Sequence, residues 1–302
     1  MGEDDAINEQ EAIMSKTILI LGGSGKIGRH ATHAFRAAGW NTQQFDRAHD
    51  DLDAKMIGAD AVFMGWNPVG YQLWEKELVP LHQKVARATA RAGARVILPG
   101  NVYVYGPEAP FPWTAETPHL AENPLAKLRK AAEASYAEAG AKLLILRCGD
   151  FIDTENSGNW FDGYITPSTG KGFIRYPGNP DIPHAWAFLP DAGRAAAALM
   201  AVEDQLADHE DVPFPGYTLT GRELAAAIDP ALKVKPFQWG MMKLLTPVMP
   251  VLKGVFEMRY LWNLPQKLDG GRFAELVPDF EPTPVNAAMA EALAWKTQRV
   301  AA

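Results

Sequence analysis

The chain has 302 residues, 47% hydrophobic and 22% charged, with a net charge of −7 and a single cysteine, Cys148. This length and apolar fraction suit one large α/β domain or two domains sharing an interface, and they exclude global disorder. The acidic balance disfavours nucleic acid or a membrane as partner. One thiol excludes an intrachain disulfide, which fits a reducing cytoplasm.

The start, Gly2-Glu3-Asp4-Asp5, is acidic where a secretory segment is basic. Residues 1–13 are read as a flexible extension, because Met14 resembles a second start directly before the first strand. Residues 17–21 (Thr-Ile-Leu-Ile-Leu) form a short apolar run that predicts a buried parallel strand. A glycine-rich turn follows, then a predicted helix over 26–38 that stops at Gly39. Strands are predicted at 41–45, 59–64, 95–98 and 142–147, and helices at 75–92 and 124–139. Strands alternating with helices imply βαβ units and a parallel sheet. From 153 to 190 Gly, Pro, Asn and aromatic residues crowd together, so loops are expected there. Helices are predicted again at 190–202 and near 284–295. The stretch 239–262 is apolar, but Lys243, Pro247, Pro250, Lys253, Glu257 and Arg259 interrupt it, so it is read as core or a pocket wall and not as a membrane span.

The turn Gly22-Gly23-Ser24-Gly25-Lys26-Ile27-Gly28 is a G-x-x-G-x-x-G pattern between a strand and a helix. Glycines there let the backbone approach a pyrophosphate, and the helix N-terminus faces the phosphates. Asp46, at the end of the next strand, can accept hydrogen bonds from adenosine ribose hydroxyls and would repel a 2′-phosphate, which favours NAD. Arg47 beside it leaves NADP open, since a guanidinium can hold that phosphate. Gly65 and Trp66, after the third strand, complete the expected cofactor contacts.

The turn, the Asp46 offset, Val104-Tyr105-Gly106 and His184-Ala-Trp-Ala-Phe-Leu-Pro-Asp191 resemble the extended short-chain dehydrogenase/reductase family, also called the NAD-dependent epimerase/dehydratase family, over most of residues 16–300. The stretch Pro99-Gly100-Asn101-Val102-Tyr103-Val104-Tyr105-Gly106, with Arg147-Cys148-Gly149-Asp150-Phe151, resembles an atypical bacterial branch. The resemblance implies an α/β, Rossmann-type doubly wound parallel sheet over 14–150. A smaller, loop-rich substrate region over 151–302 would interleave with it. It also implies a possible homodimer through helices such as 75–92 and 124–139.

Family enzymes use a Ser or Thr with a Tyr-x-x-x-Lys pair, whose spacing puts both side chains on one helix face. None of the eight tyrosines here has lysine four residues later. At the family's motif positions stand Leu125, Arg129 and, for the serine, Asn101. Arg129 can supply charge and ribose hydrogen bonds but no proton. Asn101 can polarise a carbonyl. On an extended backbone Tyr103 would point the same way as Asn101, so Tyr103 is the expected acid/base, with Arg129 lowering its pKa. Tyr103 packing passively beside the cofactor is the other reading.

Asp150, Trp160, His184 and Trp186 are the candidate substrate residues. A carboxylate at 150 would oppose a substrate pyrophosphate; an internal Arg147–Asp150 ion pair is the plain structural alternative. His30 and His33 lie one helical turn apart without further ligands, so no metal site is expected. The expectation is an NAD(P)-dependent oxidoreductase or epimerase on a small carbonyl or hydroxyl substrate. The alternatives are a non-catalytic NAD(P)-binding redox sensor or scaffold, and a structural subunit of a larger complex.

Overall fold

Strand β1 (Thr17–Leu21) has four of its five residues fully buried, which is the burial pattern of a central parallel strand. Helix α1 (Lys26–Ala37) follows, then β2 (Asn41–Phe45), the short α2 (Leu52–Met56), β3 (Ala61–Met64), α3 (Trp74–Ala92), β4 (Arg95–Gly100), α4 (Pro124–Glu138) and β5 (Lys142–Arg147). These come from a computed structural model that describes residues 15–298, so the expected extension over 1–13 lies outside the described residues.

Alternate residues of β1 face opposite sides. Ile18 and Ile20 pack with Phe35 of α1, whereas Leu19 and Leu21 pack with Val85 of α3. Helices therefore cover both faces, and strands buried on both sides read as continuous apolar runs. The parallel sheet has the order β2-β1-β3-β4-β5-β9, where β9 is His209–Pro213. The chain leaves β1 for β2 on one side and then crosses to β3 on the other. That reversal opens a crevice at the C-terminal ends of β1 and β3.

The second half adds β6 (Asp150–Ile152), β7 (Phe173–Tyr176), β8 (His184–Phe188), helix α5 (Leu189–Ala201), β10 (Tyr217–Leu219) and β11 (Lys233–Pro236). Strands β10, β8 and β6 form a second sheet, and β7 pairs with β11. The loops expected over 153–190 thus give way to two strands and a π-helical turn, Trp160–Ile165. Strand β8 is buried along its whole length, but it is held by β6 and β10, which are remote in sequence, so no local alternation marks it. Among the described residues no helix is long and apolar enough to cross a membrane.

Candidate functional site

The 22–28 turn sits at the mouth of the β1/β3 crevice. Gly22 has φ +83°, and the turn closes with the Gly25 amide donating to the Gly22 carbonyl at 2.9 Å. A Cβ at Gly28 would lie 2.1 Å from the Gly22 carbonyl oxygen, so only glycine lets α1 start this close to β1. Across the crevice, the backbone of Gly65 is 3.0 Å from where a Gly22 Cβ would stand. Ser24 and Gly25 are exposed at the tip, Gly23 and Lys26 are half-buried, and Ile27 is in the core.

Asp46 ends β2 as an exposed side chain. Its carboxylate pairs with His49 Nδ1 at 2.8 Å and accepts from the Ala48 amide at 2.9 Å. The His49 contact, followed by the amide, holds the Asp46 pKa below the usual carboxylate value. Arg47 is not a free loop charge: its guanidinium stacks 5.1 Å from the Trp66 ring, which in turn packs edge-on to Phe45.

A strap from the second half crosses the start of α1. Lys26 Nζ donates to Asn159 Oδ1 at 2.8 Å. The buried Asp153 carboxylate pairs with Arg29 at 2.5 Å and His30 at 2.9 Å, and accepts from Ser157 at 2.5 Å. Burial alone would raise the Asp153 pKa. The bonds from His30, Ser157 and Arg29 outweigh it and hold the carboxyl at about 2. Burial also pushes the Lys26 ammonium pKa down, against the pull of Asp162 and Asp153.

Next to Asn159, Trp160 opens onto a narrow cleft. Tyr71, Tyr103, Asp150, Val255, Met258, Leu261 and Trp262 complete its walls. The Tyr71 and Tyr103 hydroxyls are 2.6 Å apart. Asp150 Oδ2 lies 2.7 Å from His184 Nε2, and the His184 ring stacks on Trp262 at 4.2 Å and 2°. Trp186 is buried behind His184, at 4.8 Å between rings, and does not line the cleft. Of the four expected substrate residues, then, Asp150 and Trp160 meet the cleft and His184 supports Asp150 from behind.

Arg129 is buried on α4. Its guanidinium stacks 4.9 Å from Trp74, Nη2 donates to Asn67 Oδ1 at 3.2 Å, and the buried Nε has no partner. Its charge lowers the pKa of Tyr103, as the sequence suggested, and of Tyr71 as well, but it does not decide the outcome. Burial is the largest effect on each phenol, and Asp150 adds to it. Tyr71 is pushed up to about 12 and Tyr103 well above its usual value. Both phenols are therefore protonated at neutral pH.

The backbone at Asn101 differs from the extended path expected. Residues Val102–Val104 form a 3₁₀ turn, and the Asn101 side-chain oxygen caps it by accepting from the Tyr103 amide at 3.1 Å. Asn101 and Tyr103 therefore do not alternate as on a strand, and Asn101 does not line the cleft. The Arg147–Asp150 pair is also absent. Arg147, fully buried, bonds Asp211 and Glu133 and donates from Nη1 to the Asn101 carbonyl at 2.7 Å. The register explains this: Ile145 pairs with Asp211 across β5 and β9, and residues 145 and 147 share a strand face. Tyr105 is buried and stacked on Trp113 at 4.6 Å.

Sequence reasoning missed Tyr71, Trp74 and Asn67, whereas the cleft wall at 255–262 falls in the 239–262 stretch read as core or a pocket wall. One signal was available for the three missed residues. They lie in and just beyond the loop after β3, on the sheet edge where ligands bind in this architecture.

No protein-family model and no curated protein matches the sequence. Solved structures do match in fold. MoeE5, in complex with UDP-glucose and NAD, is 14% identical and aligns over 94% of this chain and 99% of its own, with a TM-score of 0.70. DesIV, a dTDP-glucose 4,6-dehydratase from Streptomyces venezuelae with NAD and TYD bound, is 17% identical over 94% of this chain and 98% of its own, at 0.68. A UDP-galactose 4-epimerase is 17% identical over 93% and 99%, at 0.67. This chain has their fold. It spans nearly the whole of each.

Proposed function

We propose that this protein is an NAD(P)-dependent oxidoreductase or epimerase that acts on a small carbonyl or hydroxyl substrate, uncharged or weakly charged. In this reading residues 14–150 hold the cofactor and 151–302 shape the substrate region. The observation that carries it is the Tyr71–Tyr103 hydroxyl pair, in a cleft joined to the glycine turn by the Lys26–Asn159 hydrogen bond.

The residues present fit a dinucleotide. Gly22 and Gly28 stand where a Cβ would press on backbone, and Arg129 Nε is a buried donor without a partner. The turn and the start of α1 would hold the pyrophosphate, and Asp46 the adenosine ribose. Asp46 favours NAD, and Arg47 is already engaged by Trp66. Arg129, fixed by Asn67 and Trp74, would hold the nicotinamide ribose. Bound there, the nicotinamide supplies or accepts a hydride.

The chain's own chemistry is the proton. Two phenols carry two O–H donors, and their mutual hydrogen bond uses one, which leaves one donor for the cleft. Because both phenol pKa values are raised, that proton stays in place at neutral pH. It is available to a substrate oxygen as negative charge develops there, and the second phenol can restore it to the first. High phenol pKa values suit donation to an alkoxide better than abstraction from an alcohol, so carbonyl reduction is the favoured direction. Asn101 positions Tyr103 through its amide, and Arg147 fixes Asn101.

The solved structures above include nucleotide-sugar complexes. The Asp150 carboxylate at this cleft opposes a diphosphate, which supports a smaller and less charged substrate. A homodimer through the outer faces of α3 and α4 belongs to the same proposal, and light scattering would test it. Binding without turnover is the competing reading, favoured by the absence of a lysine beside the phenols. Calorimetry with NAD and NADH, followed by a panel of aldehydes and ketones with NADH, separates the two. Binding with oxidation of NADH supports the enzyme, and binding with no oxidation across the panel supports the alternative.

A further inference from the structure

The segment 239–257 folds as a helical hairpin, α6 (Gly221–Ile228) having led into β11 and then into α7 (Trp239–Leu244) and α8 (Val251–Glu257). Its root is fixed. Trp239 is buried, packs on Phe256 at 5.5 Å between rings and donates from Nε1 to the Pro177 carbonyl at 2.7 Å. Its tip is not covered. Leu244 is 81% and Val248 75% exposed, and Met241, Leu245 and Met249 are exposed beside them. Backbone bonds such as Met249 N–H to the Leu245 carbonyl, 2.9 Å, keep the tip ordered.

The charge of this segment departs from that of the chain. The whole protein carries −7, yet no acidic residue occurs between Asp229 and Glu257, a stretch that holds four lysines. Of these, Lys243 and Lys253 flank the apolar tip and are exposed. A cluster of large exposed apolar side chains flanked by two exposed lysines matches an anionic bilayer surface, with apolar groups entering the headgroup boundary and ammonium groups meeting lipid phosphates. A second copy of this chain fits less well, because a two-fold contact would bring the same lysines together. We propose that the hairpin tip docks this protein on an anionic membrane surface as a peripheral, non-spanning contact. The net charge of the whole chain argued against a membrane partner, but docking depends on local charge within a screening length. The inference does not depend on the cofactor reading.

The test is sedimentation of the full chain with phosphatidylcholine vesicles, with and without phosphatidylglycerol. Wild type is expected to sediment with the anionic vesicles and to be released by salt. Leu244→Glu with Val248→Glu, both at exposed positions, should lower binding at least about tenfold while leaving NAD binding and the thermal midpoint unchanged. Lys243→Glu or Lys253→Glu should each lower it about fivefold or more. Three results would overturn the proposal: wild type remaining in solution with anionic vesicles, equal binding by the variants, or a wild-type dimer that the Leu244→Glu/Val248→Glu change splits, which would assign the patch to self-association.

Discussion

The Tyr71 hydroxyl lies 2.6 Å from the Tyr103 hydroxyl, although the two residues leave different strands, β3 and β4, and are 32 positions apart. Their parallel strands deliver both loops to one edge of the sheet, where the 22–28 turn also emerges. In the proposed reading, a proton donor assembled this way needs no Tyr-x-x-x-Lys helix.

Removing one hydroxyl tests that arrangement. Tyr103→Phe is expected to lower kcat for NADH-dependent carbonyl reduction by about 10²–10⁴-fold while leaving NADH affinity within about twofold. Tyr71→Phe should cost less, because Tyr103 keeps its own proton. Steady-state kinetics with parallel calorimetry reads both, and full activity in Tyr103→Phe would remove the phenol from the mechanism.

Much of this was visible in the sequence, and the limits have physical causes. The β1 run, the glycine turn and Asp46 are local signals, each set by residues within a few positions. Arg129 is singled out by the resemblance alone, because it stands at the family's lysine position. Tyr71 is not, because nothing local distinguishes a loop tyrosine from one whose partner comes from the next strand. The Arg147–Asp150 pair that sequence proximity offers as the structural alternative does not form, because strand pairing brings Asp211 to Arg147. The 3₁₀ turn at Asn101 likewise depends on the side chain capping its own backbone, which apolar periodicity does not encode.

Arg129 separates charge from shape. Arg129→Lys keeps the positive charge but loses the flat stack on Trp74 and the fixed donor to Asn67. It is expected to weaken NAD about tenfold. Arg129→Ala should weaken it further, by tens to hundreds of fold, the size of a lost charged hydrogen bond. Calorimetric titration checks both, and unchanged affinity in the alanine variant would place the ribose elsewhere.

Asp153 makes a pH prediction. Its carboxyl titrates at about 2 in the folded protein, below the ordinary 3.8, so the charged form is stabilised by folding. That contribution is fully present above the ordinary value and is lost as pH falls through about 2. Wild type should therefore lose on the order of 2 kcal/mol more stability than Asp153→Asn on acidification from about pH 5 to about pH 2. Denaturant unfolding at both pH values reads the difference, and parallel pH profiles would show that the Arg29–His30–Asp153 cluster does not hold the strap.

The central claim, that the 22–28 turn holds a dinucleotide, is tested most directly by calorimetric titration of NAD into wild type and Gly28→Ala. A Cβ at residue 28 would stand 2.1 Å from the Gly22 carbonyl oxygen and force α1 away from the turn. The account predicts saturable one-to-one binding by wild type and loss of binding in a Gly28→Ala protein that still unfolds cooperatively. Equal NAD affinity in the two proteins, or none in wild type, would contradict it.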